Sequence, residues 1–219
     1  MPIPYPVDYF DSVLKCEVED LTDSIQGRYL LKVSLRNRCS RTMTIAMMNP
    51  SKANELESDD TINKMISFVY EQNLIRNSLV RDVKYINIVN VFPAYEPSSK
   101  VLEEKIKKII EDGKLSIMQE RNERAFSDAF SNSQVIVLAW GDVPKKVKAQ
   151  HHNHEALMAC DLIKKLGLER STFVLKYAEF ERVLTNKKRP RHPSWNTPIE
   201  YVKVRGLRTS RKFLYLDVD

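Results

Sequence analysis

The sequence predicts a single α/β domain with three layers: helices cover both faces of a central, mainly parallel sheet of four strands, which carries an antiparallel strand at one edge. Two observations predict this class. Apolar runs of strand length alternate along the chain with segments in which apolar residues recur at helical spacing, and such alternation favours crossover connections and parallel pairing. The runs are also nearly continuous, as in strands covered on both faces. With 219 residues, 42% of them hydrophobic, the chain is long enough for a substantial core.

Four short apolar runs are the predicted parallel strands, because each has the length of a strand and ends in polar or turn-forming residues. They lie at residues 42–48, 84–91, 134–140 and 171–176. The stretch 28–35, RYLLKVSL, alternates between polar and apolar residues and predicts the antiparallel edge strand. Residues 1–27 predict an irregular lead-in with a short helical turn near 9–14, and 200–204 and 212–216 predict two short strands.

Helical periodicity predicts four helices. The first begins at an N-cap provided by Asp59 or Asp60, because a carboxylate at that position accepts hydrogen bonds from the free N–H groups of the first turn. The other three are predicted at residues 99–111, 114–130 and 145–166. Gly113 separates the second helix from the third, and Gly167 ends the fourth.

Positive charge is concentrated near the end of the chain. Residues 187–212 contain nine Lys or Arg against the single acid Glu200, whereas the whole chain carries a formal net charge of only +6. One basic segment on a nearly neutral body is typical of a surface that follows nucleic-acid phosphates. A solvated basic segment without a partner is the alternative.

Composition argues against several classes of function. No run approaches the roughly 20 apolar residues of a membrane span, and the first residues lack the basic start and apolar core of a signal peptide, so we expect a cytoplasmic protein. Three separated cysteines argue against a disulfide framework or a four-thiolate metal site, and five glycines form no phosphate-binding loop. We therefore expect no cofactor and no metal, and we assign no role to a histidine-rich segment of the fourth predicted helix (His151, His152 and His154).

Polar side chains follow the predicted strands where ligand sites form in open α/β sheets. Asn49 ends the first parallel strand and Asn90 the second, and His192 lies in the late basic loop. Since the carboxyl ends of parallel strands meet at one edge of a sheet, we expect these three side chains to converge on one cleft.

Short motifs give the chain a resemblance to known families. RYLL, MMNPSKAN, DDTI, VNVFPAYEP, LAWGD and PRHPSW occur in this order and resemble the signature of a bacterial and phage family known only as a domain of unknown function. Their order is also similar to that of the uracil-DNA glycosylase superfamily. The similar positions are Asn49-Pro50 in the catalytic loop, Asn90 as the reader of the pyrimidine edge, Leu138 to Gly141 after the third strand, and His192-Pro193-Ser194 before an intercalating side chain, here Trp195.

This resemblance implies a DNA glycosylase that hydrolyses the N-glycosidic bond of a flipped, uracil-like or modified pyrimidine and leaves an abasic site. A modified cytosine of phage DNA, attacked in a defence role, is one implied substrate, and double-stranded DNA is the implied partner. The implied catalytic residues are Asn49, which orients the water, His192, which donates to the base oxygen, and Asp60 as a general base. The implied base-binding residues are Asn90, Phe92, Ser51 and Tyr95, and the implied DNA-binding residues are Trp195, Ser194, Lys187, Lys188, Arg189, Arg191 and Lys52.

Two other functions remain open on the sequence alone. The chain has Met47 where the superfamily usually has glycine and a neutral amide at Asn49, which favours a binding module that recognises a base or nucleotide without chemistry. A hydrolase or transferase acting on a free nucleoside or nucleotide, with Asp59 or Asp60 as base, is the other alternative. Each residue also has a structural interpretation: Asn49 as a turn residue, Asn90 as a strand-end cap, Trp195 as a core residue and Asp59 or Asp60 as a helix cap.

Overall fold

The computed structural model describes residues 2–50, 52–95, 99–145, 147–194, 196–209 and 214–219. Two predicted site residues, Ser51 and Trp195, lie outside the described residues, as do Arg211 and Lys212 of the basic segment.

The described residues form eight strands, four α-helices and one short 3₁₀ turn at Glu169–Ser171. The strands are β1 (Phe10–Thr22), β2 (Ile25–Leu35), β3 (Arg41–Met47), β4 (Val83–Asn90), β5 (Val135–Ala139), β6 (Thr172–Lys176), β7 (Glu200–Thr209) and β8 (Leu214–Val218). The helices are α1 (Asp60–Leu74), α2 (Ser99–Glu111), α3 (Leu115–Ser131) and α4 (Ala149–Lys165).

All eight strands belong to one sheet, in the order β1-β2-β4-β3-β5-β6-β7-β8. The pairings among β4, β3, β5 and β6 are parallel, and those towards both edges are antiparallel. The mixed α/β class is thus confirmed. The expected mainly parallel sheet of four strands with one antiparallel edge strand was wrong: the sheet of the described residues has eight strands, and four of its seven pairings, two towards each edge, are antiparallel. β7 and β8 overlap the two short strands predicted at 200–204 and 212–216.

The first strand corrects the prediction of an irregular lead-in. Residues 10–22 form β1, which pairs with β2 along its whole length through several register shifts. Such bulges interrupt the regular alternation of side chains, and one face of this edge strand is largely exposed. Period-two hydrophobicity is therefore weak in the sequence, although the backbone is extended.

Helices pack on both faces of the sheet because consecutive strand residues point to opposite sides. On β3, Met43, Ile45 and Met47 belong to the core that α1 covers, whereas Ala46 belongs to the core under α2, α3 and α4. Burying each large apolar side chain in these two cores contributes about 1.5–3 kcal/mol. Coverage on both sides explains why the central strands read as unbroken apolar runs.

Local signals end the helices close to where the sequence predicts. Asp59 is the N-cap of α1, and its carboxylate accepts a 2.9 Å hydrogen bond from the N–H of Ile62. Gly113 and Gly167 both have a φ of +67°, the left-handed conformation in which glycine commonly terminates a helix. The fourth helix begins at residue 149, four residues later than predicted.

Replacing Asp59 with alanine should lower the free energy of unfolding by about 1 kcal/mol, because the first turn of α1 loses its side-chain acceptor. Asp59→Asn keeps an acceptor and should lose much less. Asp60→Ala, which removes the adjacent exposed carboxylate, is the control. Urea unfolding of the three variants measures the effect, and equal losses for Asp59→Ala and Asp60→Ala would contradict the cap.

Candidate active site

A cavity of about 690 Å³ opens where β3, β5 and β6 end at the carboxyl edge of the parallel strands. Its volume is within the range of pockets that hold small ligands. The walls come from the ends of these three strands, the start of α1, one residue of β2 and the late loop. The lining residues are Arg28, Met47, Met48, Asn49, Asp59, Thr61, Ile62, Trp140, Gly141, Asp142, Pro144, Tyr177, Phe180, Thr185, Arg191, His192, Ser194 and Asn196.

The structure brings Asn49 and His192 together on this cavity, with Ser194 beside them. The carboxylate that lines it near α1 belongs to Asp59, while Asp60 is exposed and is not among the lining residues. Asp59 rather than Asp60 is therefore the carboxylate placed to act on a bound ligand.

Asn90, predicted to read the base, lies one layer deeper. It ends β4 beside Met47 of β3, is 1% exposed and does not line the cavity. Its side-chain oxygen Oδ1 accepts a 3.1 Å hydrogen bond from Arg28, which does line it. Asn90 thus reaches the cavity through Arg28.

The two aromatic residues predicted to bind the base also lie outside the cavity lining. Phe92 is buried, with its ring edge-on to the ring of His152 at a centroid distance of 6.2 Å. The hydroxyl of Tyr95 donates to the carbonyl oxygen of Ala53 at 3.2 Å, and its ring lies 5.8 Å from the guanidinium carbon of Arg28.

The basic residues of the late loop divide into buried and exposed ones. Arg189 is 8% exposed and donates to the side-chain oxygen of Asn153 at 2.6 Å. The guanidinium of Arg191 lies 3.8 Å above the ring of Phe180 and donates to the Arg182 and Leu184 carbonyl oxygens. Both arginines therefore hold the loop in place. Three predicted basic DNA-binding residues remain exposed, Lys52, Lys187 and Lys188, as does the predicted DNA-binding residue Ser194.

Close packing against the end of β5 positions the His192 loop. The N–H of Gly141 donates to the carbonyl oxygen of Pro190 at 2.9 Å, and the Thr185 hydroxyl donates to a carboxylate oxygen of Asp142 at 2.6 Å. Gly141 has a φ of +77°, and a Cβ atom there would lie 3.1 Å from the Cβ of His192. A glycine is thus required for both conformation and space.

His192 is a neutral hydrogen-bond donor at physiological pH. Its Nδ1 accepts a 3.1 Å hydrogen bond from the backbone N–H of Ser194, which leaves the proton of the neutral ring on Nε2. Burial lowers its pKa to about 4, although the carboxylate of Asp59 acts in the opposite direction. The ring is therefore uncharged over the whole neutral range.

A family match covers the segment that builds this cavity. The family described as "Protein of unknown function (DUF1643)" matches residues 28–194. The chain belongs to the DUF1643 family. All residues that line the cavity except Asn196 fall inside the segment matched to DUF1643, from Arg28 at its start to Ser194 at its end. Comparisons with curated proteins and with solved structures found no match.

Sequence reasoning missed several residues that the DUF1643 cavity contains. Arg28 is the most important, and its signal was a charged residue at the start of the buried RYLL motif. Asp142, Tyr177, Phe180 and Thr185 line the cavity without belonging to any pattern that had assigned them a role.

Two further findings concern the described ranges as a whole. No helix in them combines the length and apolarity needed to cross a bilayer. Within the same ranges, no three His, Cys, Asp or Glu side chains come together as a potential metal site.

Gly141→Ala should destabilise the protein more than Gly113→Ala. Both glycines have a positive φ, which costs an L-residue roughly 1–2 kcal/mol, but an added Cβ at Gly113 has no atom within 4 Å. The difference between the two losses in the free energy of unfolding measures the effect of the contact between the added Cβ and His192. Urea unfolding measures both free energies, and equal losses would show that the loop does not depend on this close approach.

The His192 ring should titrate near pH 4 rather than near 6.5. Because the pKa is lower in the folded than in the unfolded chain, the unfolded chain binds the extra proton between these values, and the free energy of unfolding falls as pH drops from 6.5 to 4. NMR titration of the four histidines, with His192→Gln to assign the signal, tests this. A midpoint close to 6.5 would mean that water reaches the ring freely.

Proposed function

We propose that this DUF1643 protein is a DNA glycosylase, similar to uracil-DNA glycosylases, that hydrolyses the N-glycosidic bond of a flipped, uracil-like or modified pyrimidine and leaves an abasic site. A modified cytosine of phage DNA, removed in defence, is included among its substrates. The observation that carries the proposal is that Asn49 and a neutral His192 line one cavity at the carboxyl ends of parallel strands. The resemblance of motif order predicted this convergence for Asn49, Asn90 and His192, and two of the three line the cavity.

The chemistry of bond cleavage suits these two side chains. An N-glycosidic bond breaks through a sugar with oxocarbenium character, while the base leaves with negative charge. The Nε2–H of His192 donates to the base oxygen on which that charge develops, and donors preorganised in this way are commonly the largest catalytic contribution. Asn49 holds the attacking water through its amide oxygen, and the Asp59 carboxylate accepts the proton that the water releases.

A cavity at a sheet edge can act on DNA only if the base leaves the duplex. The exposed Lys52, Lys187 and Lys188 are available to hold the phosphates on either side of the extruded nucleotide. Lys64 adds a further positive charge beside the cavity, where its Nζ donates to the carbonyl oxygen of Ser194 at 3.0 Å. These charges support DNA, rather than a free nucleotide, as the substrate.

Incubation with duplexes that contain uracil, hydroxymethylcytosine or glucosylated hydroxymethylcytosine should release a free base from at least one and leave alkali-labile sites. His192→Ala should slow the release by about 10²–10³-fold, as expected for one donor to a developing anion, and Asn49→Ala should also impair it. His154→Ala is the matched control, because this histidine is exposed on α4 and does not line the cavity.

The measurement is chromatographic quantification of the free base under single-turnover conditions. No release from any of the duplexes, with DNA binding retained, would refute the glycosylase and leave the binding module as the function. Equal rates for wild type, His192→Ala and His154→Ala would refute the assigned role of His192.

A further inference from the structure

Arg28 is a buried charge at the cavity without an acidic partner. It lies on β2, is 1% exposed and lines the cavity. Its guanidinium donates to the carbonyl oxygen of Ala53 at 2.6 Å and to Oδ1 of Asn90 at 3.1 Å. No ion pair among the described residues includes Arg28, and its Nε–H has no hydrogen-bond partner among them.

Acidic groups near Arg28 do not supply the missing negative charge. Burial raises the pKa of Tyr95 to about 12, and it raises the pKa of Tyr5 and that of Cys16 as well, although in each case the positive charge of Arg28 acts in the opposite direction. All three groups are therefore protonated at neutral pH. A buried guanidinium bound only to neutral oxygens is costly unless something else compensates it. The carboxylate of Asp59 lines the same cavity but forms no ion pair with Arg28 among the described residues, so the positive charge at this wall has no acid in direct contact.

The hydrogen bond between Arg28 and Asn90 also sets what the site offers to a ligand. Since Oδ1 of Asn90 accepts from Arg28, the amide nitrogen Nδ2 is on the other side, where it has no partner among the described residues. An arginine has five N–H donors and no acceptor. Asn90 does not line the cavity, so it is Arg28 that presents donors at this wall, and these fit a carbonyl oxygen or a negative charge and not an amino group.

We propose that Arg28 is a catalytic residue that binds the acceptor edge of the flipped base and takes up its negative charge as the base leaves. The inference rests on the proposed function. The bond between C1′ and the base nitrogen breaks with its electron pair on the base. The oxygen of water then bonds to C1′, one proton of the water goes to the Asp59 carboxylate, and this proton later neutralises the base anion.

The role of Arg28 explains why a neutral amide suffices at Asn49. An amide activates water only weakly, so a rate that depends on it must come mainly from stabilisation of the leaving group. His192 supplies a neutral donor from the late loop, and Arg28 supplies a full charge from β2. Two donors on separate walls favour a base with two acceptors, such as a 2,4-dioxopyrimidine. The inference therefore narrows the proposed substrates to uracil-like pyrimidines and disfavours the modified cytosines, which have an amino group at position 4.

Leaving-group dependence tests this inference. Duplexes with uracil and with 5-fluorouracil differ in one atom, and the electron-withdrawing fluorine stabilises the departing anion without help from the protein. Arg28→Met should slow uracil release by about 100-fold or more, on the scale of other lost electrostatic contacts, and should slow 5-fluorouracil release much less. The rate of 5-fluorouracil release divided by the rate of uracil release should therefore be at least about 10-fold higher for Arg28→Met than for wild type.

This ratio separates catalysis from folding, because both rates are measured on one preparation and a misfolded fraction cancels. Arg28→Lys keeps the charge and should give a ratio between those of wild type and Arg28→Met. Lys84→Met is the control for loss of a partly buried cation, since Lys84 donates to the carbonyl oxygens of Leu35 and Asn37 and does not line the cavity. An unchanged ratio in active Arg28→Met would overturn the inference and make Arg28 structural.

Release of a modified cytosine, but of neither uracil nor 5-fluorouracil, would overturn the inference and leave the proposed function standing. If wild type releases none of these bases, the proposed function fails, and a binding measurement decides the role of Arg28 by itself. Calorimetric titration with free 5-fluorouracil should then show binding by wild type and Lys84→Met and a loss of at least about 10-fold in affinity for Arg28→Met. No binding by wild type, or equal binding by all three proteins, would overturn the inference.

Discussion

Parallel pairing of β3 with both of its neighbours is the constraint on which the site depends. Met47, the last residue of β3, is in register with Asn90 of β4 on one side and with Ala139 of β5 on the other. The three chain segments that follow these strands are therefore held at one edge of the sheet. Backbone hydrogen bonds along buried strands fix this geometry, so the cavity does not need a loop to rearrange before it forms.

The late loop completes the cavity because it is tied to the end of β5. Gly141 lets the backbone of the loop approach, and the hydrogen bond between Thr185 and Asp142 holds its start. His192 is consequently half-buried against protein rather than extended into water, and this burial lowers its pKa to about 4. The packing that fixes the position of the His192 ring therefore also favours its neutral form.

The antiparallel outer part of the sheet contributes to the site as well as to stability. β2 pairs with β4 and delivers Arg28 to the cavity wall, where Asn90 orients it. A strand that lies outside the parallel centre therefore provides a full positive charge that is buried among neutral partners and lines the same cavity as Asn49.

The sequence by itself determined the local features of this protein. Hydrophobic periodicity predicted α2 at its observed bounds, and it predicted each end of the four central strands to within one residue. Residue type predicted that Gly113 and Gly167 end helices. All of these features depend on neighbours along the chain. The order of the motifs also predicted that Asn49, after a strand, and His192, in the late loop, would line one cavity. Tertiary structure decided the eight-stranded sheet, the choice of Asp59 over Asp60, and the placement of Asn90 behind Arg28. Each of these three features depends on which strands are neighbours and on where packing excludes water. The spacing of residues along the chain determines neither strand order nor the exclusion of water.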